Sequence, residues 1–248
     1  MRIINTKEIT TAVAALSQST NYGLTRDVTD RIHECRCAET DSRAEGILAR
    51  IEENIQIAGE ERIPLCQDTG LACVFLELGQ DVFLEGADLY TAINEGVRTG
   101  YRESYLRKSI VADPLRRTNT GDNTPANIYV DIVPGDRVRI ILAPKGFGSE
   151  NMSRIKMFPP SAGAEGVKDF VVDAVRQAGG NPCPPVVVGV GIGGTFDRVA
   201  FLAKKALTLD LDGHHPDPYY ATMEQELLDR INALEIGPQG FGGDTTAL

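Results

Sequence analysis

The spacing of apolar residues constrains the fold of this chain more than any other feature of the sequence. After Ser42, apolar side chains recur every three or four residues, which is typical of one face of a helix. Ser42 and Glu45 fit a capping box at the start of that helix. The same spacing predicts helices over the first 60 residues and at 87–101, 167–178, 199–206 and 223–234.

Between the helical segments lie short runs rich in β-branched residues. We expect strands at 71–78, 127–133, 137–143 and 186–190. Pro134, Gly135 and Asp136 separate the second run from the third and indicate a hairpin. The pattern therefore predicts an α/β (mixed α+β) fold, a helix-rich single unit with a mixed β-sheet and an N-terminal helical segment.

Length and composition exclude several classes of protein. The chain has 248 residues, of which 42% are hydrophobic and 24% charged, enough to build a core and too apolar for disorder. A net charge of −10 disfavours nucleic-acid binding, which depends on neutralising phosphates. The longest apolar run, 186–192, is too short to cross a bilayer, and the N-terminus lacks the apolar core of a signal peptide. We therefore expect a cytoplasmic protein.

The five cysteines fall into two groups. Cys35 and Cys37 lie in a charged helical stretch, and Cys73 lies in an apolar run that predicts a buried strand. Cys66 and Cys183 are each beside proline, in segments of turn-forming residues that resist helix and sheet. A rigid loop suits a metal ligand or a nucleophile. Because iron–sulfur clusters are held by thiolates, these two suggest part of a cluster site.

Two glycine-rich segments invite a binding role. Residues 145–151 (KGFGSEN) follow a predicted strand, and their backbone N–H groups could converge on an anion. Residues 189–194 (GVGIGG) formally match the dinucleotide motif, with Asp210 near the position of a ribose-binding acid. A nicotinamide-dependent oxidoreductase is thus an alternative. A dinucleotide-binding fold requires further strand–helix units, which the rest of the chain does not provide. The glycines at 189–194 are therefore expected to allow close packing or to bind a smaller anion.

His214 and His215 suggest a metal site at first sight. Neighbouring side chains on an extended segment point to opposite faces, so such a pair rarely binds one ion. A turn before a helix beginning near Pro218 is the favoured interpretation.

Five motifs in order resemble one known family. They are PLCQDTG at 64–70, NTGDNTP at 119–125, KGFGSEN at 145–151, CPPV at 183–186 and GVGIGG at 189–194. Together they are similar to the alpha subunit, or N-terminal catalytic domain, of the iron–sulfur class I fumarate hydratases and L-tartrate dehydratases. The resemblance covers the whole chain, residues 1–248, as one domain. The segment KGFGSENMSRIKM at 145–157 looks more like the fumarase branch, which favours malate and fumarate as substrates.

The resemblance implies a cofactor and a set of site residues. Three cysteines of the family hold a [4Fe–4S] cluster, and two of them correspond to Cys66 and Cys183. Gln67 and Asp68 would contact substrate beside the cluster, Arg107 would clamp a substrate carboxylate, and Gly148 would offer its backbone N–H. Each assignment has a structural alternative: Asp68 could cap the next turn, and Arg107 could be a solvated helix cation.

Two departures from the family pattern matter. The third cysteine follows the position of Leu248 in the family, so we expect a shortened form whose cluster is incomplete in this chain alone. The catalytic base belongs to a separate beta subunit, which would be the partner of this chain, and the complex is also expected to self-associate. Alternatives left open are an L-tartrate dehydratase alpha subunit and a binding relative without activity.

Overall fold

The computed structural model describes all residues from Met1 to Leu248. The chain divides into two compact units. Unit 1 comprises Met1–Leu24 and Ile55–Phe147, and unit 2 comprises Thr25–Asn54 and Gly148–Leu248. Mixed α and β structure with helix in excess is confirmed. That residues 1–248 form one family domain stays a prediction.

Most of the predicted helices are confirmed, with ends shifted by a few residues. They are α1 (Thr6–Tyr22), α2 (Arg26–Ala38), α3 (Ser42–Glu61), α4 (Leu89–Glu103), α5 (Phe147–Glu150), α6 (Gly163–Ala178), α7 (Phe196–Ala206) and α8 (Pro218–Asn232). The single turn of α5 lies inside the segment predicted as a glycine-rich loop.

The start of α3 differs from the predicted capping box. The side chain of Asp41, one residue before Ser42, accepts hydrogen bonds from the backbone N–H groups of Arg43 and Ala44, each at 2.9 Å. Asp41 is therefore the residue that caps the helix, and a box between Ser42 and Glu45 was wrong. Both residues lie inside the first turn, where an aspartate one position earlier satisfies the free N–H groups.

The strands are β1 (Arg2–Asn5), β2 (Leu71–Gly79), β3 (Val82–Glu85), β4 (Asn127–Val133) and β5 (Val138–Lys145). A parallel pair joins β1 and β3, and a mixed sheet has the order β4-β2-β5. The predicted hairpin between the last two strands was wrong, because β2 lies between them, parallel to β4 and antiparallel to β5. The turn at 134–136 instead passes over the end of β2, where the N–H of Gly79 donates to Arg137 O at 2.8 Å.

The central strand β2 sets the position of the candidate site in unit 1. Its side chains Val74 and Leu76 are buried, and they join a core with Val13 of α1 and Ile93 of α4. The register pairs Leu71 with Lys145. The loop that precedes β2 and the segment that follows β5 therefore meet at one end of the sheet.

In unit 2 the predicted strand at 186–190 was wrong. Val186 makes one isolated bridge with Ala247, and no ladder continues beyond it. Side chains at Gly189 and Gly191 would collide with α7, since a Cβ there would lie 2.2 Å from Ala203 O and 2.3 Å from Val199 O respectively. The segment is thus held against a helix. The core of this unit comes mainly from α6 and α8.

Candidate functional site

Cys66 presents an exposed thiol from the loop that leads into β2. Its Sγ accepts a hydrogen bond from the backbone N–H of Asp68 at 3.4 Å, and the S–H reaches the side-chain oxygen of Gln67 at 3.4 Å. The thiol is therefore both accessible and oriented.

Asp68, two residues later, is held at both carboxylate oxygens. Oδ1 accepts the N–H of Gly70 at 3.2 Å, and Oδ2 accepts the N–H of Phe147 at 2.9 Å. The first contact closes a local turn, so the turn-capping role considered from the sequence is present. The second ties the loop to the segment after β5. A role of Asp68 toward substrate stays a prediction.

Gly70 allows the loop to meet β5 at close range. Its φ is +65°, and a Cβ at this position would lie 2.4 Å from the carbonyl oxygen of Lys145. Only glycine satisfies both conditions, because a side chain would be strained and would collide with backbone. The approach of Asp68 to Phe147 depends on this contact.

Two buried polar side chains hydrogen-bond to the backbone of the Cys66 loop. The hydroxyl of Tyr101 donates to Thr69 O at 2.7 Å, and Nδ2 of Asn123 donates to Gly70 O at 3.0 Å. Burial raises the pKa of Tyr101, so its hydroxyl remains a proton donor at neutral pH. Oδ1 of Asn123 accepts the N–H groups of Ser109 and Ile110 at 2.7 and 3.2 Å, which joins a second loop to the first.

Arg107 belongs to that second loop and is brought beside the first. Its backbone N–H donates to Thr69 Oγ1 at 2.9 Å, and the Thr69 hydroxyl lies 3.3 Å from the carbonyl oxygen of Arg107. The side chain of Arg107 is exposed, whereas Thr69 is buried. The guanidinium is therefore available on a backbone that the loop holds in place.

A nearby ion pair stabilises the motif that contains Asn123. Nε of Arg98 contacts Oδ2 of Asp122 at 2.7 Å, and Thr124 donates to Oδ1 at 2.7 Å. Burial alone would raise the pKa of Asp122, but the bonds from Arg98 and Thr124 outweigh it and lower that pKa to about 2. The carboxylate is thus charged at neutral pH.

Cys183 is exposed and lies in unit 2. Its φ is +58°, which is uncommon for a residue other than glycine, and the bond between Pro184 and Pro185 is cis. The N–H of Cys183 donates to Gly180 O at 3.0 Å, and the N–H of Gln239 donates to Pro184 O at 2.7 Å. Backbone constraints hold this thiol.

Gly148 lies in the same unit as Cys183. A Cβ at Gly148 would lie 3.5 Å from the carbonyl oxygen of Asn181, an ordinary contact. Gly148 is exposed and follows the residue whose N–H binds Asp68. Its own N–H stays a predicted contact for substrate.

The structure therefore brings the predicted residues together in two groups. Cys66, Gln67, Asp68 and Arg107 lie together in unit 1, and Gly148 and Cys183 lie in unit 2. The sequence did not point to Tyr101 as a support, because it resembles any apolar residue on the buried face of α4. The motif NTGDNTP at 119–125 was one of the five that carried the family resemblance, but it did not show that Asn123 joins the two loops by hydrogen bonds.

The remaining candidates have structural roles. Gly189 and Gly191 pack against α7, as favoured over the dinucleotide interpretation, and no strand precedes them. His215 Nδ1 accepts the N–H of Asp217 at 3.1 Å, just before α8 begins, so the predicted turn is confirmed. Cys73 is buried in β2, as predicted.

No group of three or more His, Cys, Asp or Glu side chains is placed to bind one ion. Two accessible thiols on well-held loops fit part of the donor set of an iron–sulfur cluster. None of the helices combines the length and apolar character needed to cross a bilayer.

The sequence profile of the fumarate hydratase (Fumerase) family matches residues 10–248. The chain therefore belongs to that family and to the class of the hydro-lyases, as its motifs predicted. It is similar to a Methanocaldococcus jannaschii protein provisionally named L(+)-tartrate dehydratase subunit alpha, at 44% identity covering 97% of this chain and 86% of that protein. It is also similar to L(+)-tartrate dehydratase subunit alpha of Escherichia coli strains UTI89 and K12, at 34% and 33% identity. Each of those matches covers 97% of this chain and 80% of the relative.

Proposed function

We propose that this chain is the alpha subunit of a two-subunit, cytoplasmic hydro-lyase that interconverts (S)-malate and fumarate. The observation that carries the proposal is the family match over residues 10–248, together with the loop of Cys66 and Asp68 and the second loop that Thr69 holds beside it at Arg107. The reaction removes a hydroxyl and a proton from neighbouring carbons of a dicarboxylate.

Cys66 and Cys183 would hold a [4Fe–4S] cluster, with a third thiol from outside residues 1–248. The family supports this cofactor, and both thiols are exposed as ligands must be. When bound, such a cluster with one open iron supplies a Lewis acid for the departing hydroxyl. The N–H of Asp68 would stabilise the Cys66 thiolate through the contact seen at 3.4 Å.

Arg107 would bind one carboxylate of the substrate. A planar guanidinium can donate two parallel hydrogen bonds to a carboxylate, which fixes orientation as well as charge. The double contact between Thr69 and the backbone of Arg107 supports this role, because it holds the base of the side chain beside the Cys66 loop. The solvated-cation alternative predicts no effect of its removal on substrate affinity.

Asp68, Gln67 and Gly148 would complete the part of the site that this chain provides. The carboxylate of Asp68 is held by two backbone N–H groups, so its position would not change when substrate arrives. Gln67 is exposed and offers an amide beside the thiol. The absence of a side chain at Gly148 would let a substrate carboxylate approach its N–H.

A beta subunit would supply the catalytic base and the remaining substrate contacts. The names of the relatives support such a partner, since each is called a subunit alpha. We further expect the complex to self-associate, as closed symmetric assemblies are the commonest oligomers.

L(+)-tartrate is the second candidate substrate, and the names of the relatives favour it. Malate and tartrate share two carboxylates and a hydroxyl that leaves, so the groups described above would serve both. The discrimination between them would rest on residues that read the second hydroxyl of tartrate. The fumarase-like segment after Lys145 favours malate.

The test is an anaerobic assay of the chain co-expressed with its beta subunit and supplied with iron and sulfide. Fumarate formed from (S)-malate and oxaloacetate formed from L(+)-tartrate are measured in parallel. We expect turnover of malate to exceed that of tartrate. A preference for tartrate would show that L(+)-tartrate, and not malate, is the substrate. Turnover of neither compound would contradict the proposed function.

A further inference from the structure

A cysteine, a histidine and a glutamate form a chain of contacts on two helices of unit 2, apart from the residues discussed above. Sγ of Cys37 lies 3.7 Å from Nε2 of His33, one turn earlier on α2. Nδ1 of the same ring lies 2.9 Å from a carboxylate oxygen of Glu52 on α3. The thiol is exposed, and the side chain of His33 is 65% exposed.

The carboxylate sets the direction of the imidazole. Arg36 contacts the second oxygen of Glu52 at 2.5 Å and is also bound to Glu45 at 2.8 Å. Burial alone would raise the pKa of Glu52, but the bonds from Arg36 and His33 outweigh it and lower that pKa. A charged Glu52 accepts a hydrogen bond from the Nδ1–H, and this tautomer leaves the lone pair of Nε2 facing the sulfur.

We propose that Cys37 is a nucleophilic thiol and a modification site for small electron-poor carbon electrophiles. His33 acts as the base and Glu52 as a positioning residue, the order that activated nucleophiles share. The thiol proton passes to Nε2 of His33 as sulfur forms a bond to the electrophilic carbon. The leaving group departs with its electron pair, and His33 returns the proton to water.

The other cysteines provide comparisons within the same chain. Cys35 lies two residues away on α2, is partly buried and has a pKa raised by that burial. Cys66 and Cys183 are exposed like Cys37. The sulfur of Cys66 contacts the Gln67 side chain and the backbone N–H of Asp68, and not an imidazole. Exposure alone therefore does not distinguish Cys37; the contact with His33 does.

The experiment measures alkylation of the full chain by limiting iodoacetamide at neutral pH, with each cysteine followed by mass spectrometry. An ordinary thiol is only a few per cent ionised at neutral pH, so we expect His33→Gln to slow alkylation of Cys37 about tenfold. Glu52→Gln keeps an acceptor for Nδ1 without the charge and should slow it about threefold. Alkylation of Cys35 should change in neither variant.

Glu34→Gln is the matched control. Glu34 lies on the same helix, and its carboxylate pairs with Arg31 and not with His33. Its removal should therefore not slow the alkylation of Cys37. Thermal melting verifies that each variant is folded. If Cys37 reacts at the same rate in folded His33→Gln as in the unaltered chain, or no faster than Cys66, the proposal is wrong.

Discussion

The loops that carry Cys66 and Cys183 both expose a thiol, but they are held in different ways. The Cys66 loop is fixed by side chains from elsewhere in unit 1, since Tyr101 and Asn123 donate to the carbonyl oxygens of Thr69 and Gly70. Thr69 in turn binds the backbone of Arg107. The Cys183 loop is fixed mainly by its own backbone, with a left-handed φ of +58° and flanking prolines. Gln239 adds contacts from its backbone N–H and its side-chain amide to the carbonyl oxygens of Pro184 and Cys183.

The difference predicts which substitutions should disturb the position of each thiol. A single substitution far away in the sequence can release Cys66, because hydrogen bonds from buried side chains hold its loop. Cys183 should be insensitive to the same changes, because it is held by its own backbone geometry and by Gln239, which lies in unit 2.

The largest expected effect is on activity, where the two loops should behave alike. In the two-subunit enzyme, Cys66→Ser and Cys183→Ser should each lower kcat by about 1000-fold or more, since a serine hydroxyl is a poor ligand for iron. Cys37→Ser, which removes an exposed thiol outside the site, should retain activity. Anaerobic turnover of malate is the measurement. Activity in either Cys66→Ser or Cys183→Ser would contradict the claim that both thiols are required.

The next effect separates the loops. Asn123→Ala should lower the free energy of unfolding by about 3 kcal/mol, because the N–H groups of Ser109 and Ile110 would lose their buried acceptor. Urea denaturation measures the loss. Alkylation of Cys66 should become faster, while that of Cys183 should not change.

Asn232 in unit 2 provides the control for Asn123. Its Oδ1 accepts the N–H groups of Thr246 and Ala247 at 2.9 and 2.8 Å, an arrangement like that of Asn123. Asn232→Ala should be less destabilising, since Asn232 is only partly buried. Faster alkylation of Cys66 in this variant would show that the loops are not held separately.

A smaller effect is expected at Tyr101. Tyr101→Phe removes the hydroxyl that donates to Thr69 O and should cost about 1.5 kcal/mol, while the buried ring remains. Tyr22→Phe is the control, because the Tyr22 hydroxyl also donates to a backbone carbonyl, that of Ser104 at 3.0 Å. Only the first variant should alter alkylation of Cys66; equal effects of both would argue against a specific support.

The smallest effect depends on pH and concerns the ion pair of Asp122. Its pKa is lowered to about 2 from the ordinary value of 3.8, so the contribution to stability is present above about pH 4 and is lost as pH falls toward 2. Asp122→Asn should cost about 1 kcal/mol at neutral pH, after allowance for solvent screening. Urea denaturation across this pH range should show the two proteins converging in acid. A constant difference would contradict the assignment.

The helices were predictable because a 3.6-residue period is local, and the long amphipathic segments formed where expected. The order of strands in the sheet was less predictable. The turn at 134–136 correctly indicated that β4 ends near the start of β5, but no local signal in the sequence shows that β2 lies between them. The missed β1 and β3 are paired strands of four residues each, too short for periodicity to detect. At 186–190 the apolar run forms only the single bridge of Val186 with Ala247, because α7 packs against the run at Gly189.

In the site, the sequence identified the loops but not what supports them. Prolines and glycines mark Cys66 and Cys183 directly, since these residue types impose backbone geometry. The contact of Asp68 with Phe147 spans 79 positions in the sequence and follows from the pairing of β2 with β5. Only the assembled sheet shows it.

The most direct test of the central claim is an iron and sulfide count with a visible spectrum, taken anaerobically on the complete two-subunit protein. The account predicts about four iron atoms per alpha subunit and the broad absorption of a cluster. Cys66→Ser and Cys183→Ser should each lose both signals, and Cys37→Ser should keep them. A full cluster in either of the first two variants, or none in the unaltered protein, would contradict the account.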